Sequence, residues 1–118
     1  MNYQIKSMGD FASIKRADLK EQLGFTSCEI SINTLEANSS VPFVHHHKEN
    51  EEVYLILDGE GKIKLDNELI NIKKGDVLRL APSVKRQIFA TSKLNYICIQ
   101  AKENSLQNYT FTDGVVEE

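Results

Sequence analysis

The chain has 118 residues, a formal net charge of −3, 41% hydrophobic and 26% charged residues. That balance suits one globular domain with a workable core and excludes a disordered chain. Lys and Arg are too dispersed to neutralise several phosphates, no apolar run approaches the roughly 20 residues of a membrane span, and "MNYQIKSMGDFASIK" lacks the continuous apolar stretch of a secretory signal. No nucleic-acid or membrane partner is expected, and a cytoplasmic location is.

In chain order, "RADLKEQL" (Arg16–Leu23) reads as a short amphipathic helix closed by Gly24, or else as a surface loop. From Thr26 the pattern changes to period two. "TSCEISINTLE" sets Cys28, Ile30 and Ile32 on one face and Glu29, Ser31 and Asn33 on the other, as in a half-buried strand. "ANSS" is a turn, and Pro42 holds the residue before it extended. Glu52–Leu57 is a strand rich in large apolar residues, broken by "DGEG".

"KIKL", "DNE" and "LINI" make a hairpin over residues 62–72, and "KKGD" turns again. "VLRL" is a strand stopped by Pro82, and "RQIFA" resumes after "SVK". "TSK" reverses the chain into a last strong strand, "NYICIQA", and the tail carries an edge strand at Tyr109–Thr112. Eight or so short strands predict an all-β sandwich or barrel, in a single domain over residues 1–118 with its barrel core at about 26–101. Cys28 and Cys98 lie in alternating apolar segments without CxxC spacing and read as buried, reduced thiols.

All three histidines fall in "VPFVHHHKENEEVYLILDG", residues 41–59. In an extended chain His45 and His47 share one face, about 7 Å apart, while His46 points away. Two imidazoles on one face can converge on one ion, with a carboxylate from the following strand completing the set. On spacing alone Glu49, Glu51 and Glu52 are all candidates. The bland alternative is a solvated loop followed by a charged turn.

"HHHKENEEVYLILDG" resembles the first motif of the cupin superfamily: His, any residue, His, four residues, Glu, six residues, Gly. His45, His47, Glu52 and Gly59 match it position for position. "GDVLRLAPSVKRQ" resembles the second motif, with Gly75 opening the strand and Pro82 closing it. The resemblance covers about residues 28–101 and implies a jelly-roll double-stranded β-helix that holds one divalent metal ion (Zn, Fe, Mn or Ni) on His45, His47 and Glu52. The second motif departs from the family pattern where a third histidine is usual, because Gln87 stands there. A glutamine oxygen is a weaker ligand than an imidazole, so Gln87 completes the metal set, holds a metal-bound water, or hydrogen-bonds a substrate.

Alternation from Glu52 places Tyr54 and Ile56 inward, and alternation from Gln87 places Phe89 inward. Arg79 faces either inward, to pair with a substrate carboxylate or phosphate, or outward to solvent. On the last strand either Tyr96, Cys98 and Gln100 or Ile97 and Ile99 face the interior, and the first choice makes Tyr96 a pocket wall. Lys85 and Arg86 read as exposed. The functional expectation is a metal-dependent enzyme of dioxygenase, isomerase or lyase type on a small polar molecule, with Tyr54, Glu51 and a metal-bound water as acid/base candidates. The rival is a non-catalytic binder of a small molecule or sugar. The resemblance also implies a homodimer, with the N-terminal segment and "YTFTDGVV" covering strand edges.

Overall fold

The computed structural model describes residues 2–117. Among these residues eight strands form two antiparallel sheets that close on one another as a jelly-roll barrel. They are β1 (Arg16–Asp18), β2 (Glu29–Leu35), β3 (Asn50–Asp58), β4 (Glu60–Leu65), β5 (Glu68–Lys73), β6 (Val77–Leu80), β7 (Arg86–Ala90) and β8 (Leu94–Lys102). The larger sheet runs β1-β2-β8-β3-β6 and the smaller β5-β4-β7. Among the described residues no helix is long and apolar enough to cross a membrane.

Period-two alternation builds the interior. In β3, Glu52, Tyr54 and Ile56 are buried, and in β4 Gly61 and Ile63 are buried while Lys62 and Lys64 are exposed. The apolar members pack in one core cluster with Ile72, Leu80, Ile88, Ala90 and Leu94. Burying a side chain such as Ile63 completely contributes about 1.5–3 kcal/mol. The turn between β3 and β4 requires a glycine: Gly59 has φ 90°, and a Cβ there would sit 2.0 Å from the Lys93 carbonyl oxygen. No L side chain tolerates that approach.

Three expectations are corrected. "RADLKEQL" is not one helix: Arg16–Asp18 pairs with Asn33–Ser31 as an edge strand, and only Lys20–Leu23 is helical. Strand pairing overrides the weak helical preference of so short a segment. The first backbone amides of this helix (α1) are satisfied from β2, since Leu19 and Lys20 both donate to Glu29 Oε1, and Gly24 closes it in the left-handed conformation at φ 73°.

The tail forms a 3-10 turn at Thr110–Thr112 in place of an edge strand, and Phe111 is 97% exposed. An alternating pattern does not become a strand without a neighbour to pair with. "VPFVHHH" is extended but not a regular strand. It runs beside β7 with bridges only at Ser40–Phe89 and His45–Arg86, interrupted around Pro42, which has no N–H to donate. The hairpin expected over residues 62–72 is present, with β4 and β5 together spanning residues 60–73.

Candidate metal centre

The irregular segment before β3 is positioned by its backbone. His45 and Arg86 exchange backbone hydrogen bonds (His45 N to Arg86 O, 3.2 Å; Arg86 N to His45 O, 2.9 Å), and His47 N donates to Pro82 O at 2.9 Å. These bonds carry both imidazoles to the inward end of β3, where Glu52 is 3% exposed. One ligand atom each from His45, His47 and Glu52 lies within 4.8 Å of the others. His45 Nδ1 and His47 Nε2 are buried without a hydrogen-bond partner. His47 Nε2 is 3.2 Å from Glu52 Oε2, close enough for an ion-pair contact but without hydrogen-bond geometry. Two orphaned ring nitrogens beside a carboxylate oxygen are a donor set that fits a divalent ion.

The two oxygens of Glu52 have different surroundings. Oε1 accepts from Arg86 Nη1 at 2.6 Å and from the Tyr54 hydroxyl at 2.8 Å. Oε2 accepts from Cys98 Sγ at 3.2 Å and faces His47. Burial alone would raise the Glu52 pKa, but hydrogen bonds from Arg86, Cys98 and Tyr54, with His47 nearby, outweigh it and hold the carboxyl below its ordinary range. Burial also depresses His45, assisted by His47, Arg86 and His46 against the opposing pull of Glu52. Cys98 is pushed well above a free thiol, first by burial and then by Glu52. It is a protonated donor here, not a thiolate nucleophile. Burial, followed by Cys98, pushes Tyr96 up to about 12, and burial raises Tyr54 further still.

A cavity of about 210 Å³ adjoins these residues. Its far wall is polar because β2 turns Glu29, Ser31 and Asn33 inward and buries Ile32 on the opposite face. Asn33 Nδ2 donates to Ser31 Oγ, Arg16 Nη1 donates to Asn33 Oδ1 at 2.7 Å, and Asn50 Nδ2 donates to Gln100 Oε1 at 3.0 Å. Tyr54 and Tyr96 line the cavity and meet edge to face at 5.9 Å. On β8 it is therefore Tyr96, Cys98 and Gln100 that face inward.

Two expected pocket residues lie elsewhere. Arg79 pairs with Val53 across the outer face of the larger sheet, is 66% exposed, and bonds Glu51 at 3.2 Å. Phe89 lies opposite Lys62, on the face of β7 turned from the core, and does not border the cavity. The reason is the phase of β7, whose buried set is Arg86, Ile88 and Ala90. Gln87 borders the cavity from the strand's other phase, with Nε2 donating to Val41 O at 2.8 Å.

Arg86, expected in solvent, is 1% exposed. The one signal in the sequence is its even spacing from Ile88 and Ala90; the equally apolar Phe89 masks it. Glu49 and His46 are exposed. Glu51, on the opposite face of β3 from Glu52, is engaged by Arg79.

A family model described as "Cupin domain" matches residues 32–100. The crystal structure of a cupin protein from Bacteroides fragilis is 48% identical, with a TM-score of 0.94 over 100% of this chain and 99% of that one. A second solved structure, described as a predicted oxalate decarboxylase from Thermotoga maritima, is 28% identical with a TM-score of 0.58 over 62% of this chain and 64% of that one. An uncharacterized protein of Methanocaldococcus jannaschii is 41% identical over 49 residues, which is 42% of this chain and only 39% of that relative's length.

Proposed function

This chain belongs to the cupin family, and we propose that it binds one divalent metal ion on His45, His47 and Glu52 and acts on a small polar molecule held in the adjoining cavity. The observation that carries this reading is the pair of orphaned nitrogens, His45 Nδ1 and His47 Nε2, converging with a carboxylate at a cavity wall. Leaving two buried ring nitrogens without a partner costs stability unless a ligand satisfies them. An ion with open positions there would supply Lewis-acid or oxygen-binding chemistry. Zn, Fe, Mn and Ni all suit two histidines and a carboxylate.

The chain's own residues then do the following. Oε2 of Glu52 is the ligand atom, because Oε1 is committed to Arg86 and Tyr54. The Cys98 thiol beside Oε2 holds its proton and tunes the carboxylate. Ser31, Asn33 and Gln100 offer hydrogen bonds to a polar substrate, and Gln87 is assigned to the same task, not to the metal. The aromatic faces of Tyr54 and Tyr96 exclude water from one side of the cavity.

Metal analysis of protein purified without a polyhistidine tag tests this reading. Close to one equivalent of a transition metal is expected in the wild type and less than a tenth of that in His47→Ala; equal content in the two overturns it. Oxygen uptake and product formation across small thiols, oxoacids, dicarboxylates and sugar phosphates then separate an enzyme from a binder. The closed Arg86–Glu52 ion pair favours a second reading, a non-catalytic small-molecule binder, because the carboxylate is already neutralised without an ion. Saturable ligand binding with no turnover of any member of that panel would support it.

A further inference from the structure

We propose that Arg86 is the resident counter-ion of this site: it holds the charge position at Glu52 that a divalent ion would otherwise have to fill, so the ion binds reversibly and the barrel remains folded without it. This rests on the metal-centre reading above. Arg86 is a positioning residue, not a receptor for substrate, because its guanidinium is spent on protein acceptors. Nε donates to Val84 O at 2.9 Å, Nη1 to Glu52 at 2.6 Å, and Nη2 to the carbonyls of Ala81, Pro82 and Val84 at 2.9, 3.2 and 2.6 Å.

The group is permanently charged and is anchored by those side-chain bonds, on a residue whose backbone is itself bonded in both directions to His45. A buried carboxylate whose only cation is an exchangeable ion becomes an unpaired charge whenever the ion leaves. Glu52 does not, because Arg86 stays. The same geometry works against the ion. An ion on Oε2 and the guanidinium on Oε1 flank one carboxylate, and their like charges repel across a few ångströms of poorly solvated interior. Arg86 therefore fixes which oxygen of Glu52 is free and at the same time weakens the bond that oxygen can make.

The test is calorimetric titration of Zn²⁺ and Mn²⁺ into untagged, EDTA-treated wild type, Arg86→Gln, Arg86→Lys and His47→Ala. Glutamine at position 86 removes the charge, so Arg86→Gln should bind at least tenfold more tightly, about 1.4 kcal/mol. Arg86→Lys keeps the charge without the fork and should stay within about threefold of wild type. Binding by Arg86→Gln no tighter than wild type, or by Arg86→Lys as tight as by Arg86→Gln, overturns the proposal.

If the wild type binds and His47→Ala does not, such a result removes this inference and leaves the metal centre standing. Absence of binding in the wild type removes both. Should Arg86→Gln fail to fold, the wild type decides alone. It is expected to melt cooperatively after EDTA treatment, with a melting temperature that rises on adding Zn²⁺, and unfolding on chelation overturns the proposal.

Discussion

The two ends of the barrel interior are made by the same strands and have opposite chemistry. β3 passes inward from Glu52 through Tyr54 to Ile56, β7 from Arg86 through Ile88 to Ala90, and β8 from Gln100 through Cys98 and Tyr96 to Leu94. Each strand grades from charged or polar to aliphatic, and antiparallel pairing aligns the gradients, with Glu52 opposite Gln100 and Ile56 opposite Tyr96. The aliphatic end supplies the burial that holds the sheets together. At the polar end Glu52 withstands burial because its neighbours satisfy it: Arg86, Tyr54 and Cys98 all donate to its carboxylate. The barrel thus separates the residues that stabilise it from those that could do chemistry, within one continuous core.

The contrast can be broken at either end. Arg86→Met has the largest expected effect, about 3–5 kcal/mol of metal-free stability, because it strands the Glu52 charge in the interior; urea unfolding in EDTA measures it. Ile63→Ala at the aliphatic end should cost about 2–5 kcal/mol by opening a cavity, with the metal content per folded molecule unchanged. A change in that content would show that the two ends are coupled. Tyr54→Phe removes one hydrogen bond to a charged oxygen, for about 1.5–3 kcal/mol, and raises the Glu52 pKa, which NMR titration of the carboxyl carbon reads directly. His47→Ala should leave stability within about 1 kcal/mol while abolishing metal uptake.

The smallest effect is that of pH on the metal-free protein. The folded-state pKa of His45 lies below its ordinary 6.5, so between those values the unfolded chain binds a proton that the folded chain does not. Stability should therefore fall as pH drops below about 6.5. The depressed Glu52 contributes stability that is intact above its ordinary 4.5 and lost only at lower pH. Thermal melts at about pH 7.5, 5.5 and 4 separate the two steps, and a flat profile down to pH 5 would remove the His45 contribution.

Much of the fold was legible because alternation is a local signal. The strand from Glu52, the central hairpin and the last strand all lie where period two places them. The local signal ran out where partners decide. Arg16–Asp18 becomes a strand by pairing with β2, whereas Thr110–Thr112 turns as a 3-10 segment instead of pairing. The three proposed ligands are close in sequence, and an extended chain explains how His45 and His47 share a side. The phase of β7 was not legible. Ile88 and Phe89 are both apolar, so residue type alone could not say whether Arg86 or Gln87 turns inward, and the family pattern pointed to Gln87. The inward polar face of β2 was hidden for a similar reason, since isoleucines on a half-buried strand ordinarily mark its inner side.

The phase of β7 has one more consequence. Leu65 lies opposite Arg86 on β4, and Lys64 opposite Gln87. A one-residue slip of this pairing exchanges every side chain between the two faces of the strand. A single deletion in Ser83–Lys85 would then bring a neutral amide to the position now held by a guanidinium, and an aromatic ring to the position of Ile88. The length of one short loop thus selects between a cation and a neutral donor beside Glu52, a choice that changes the charge of the site by one whole unit without substituting any residue in it.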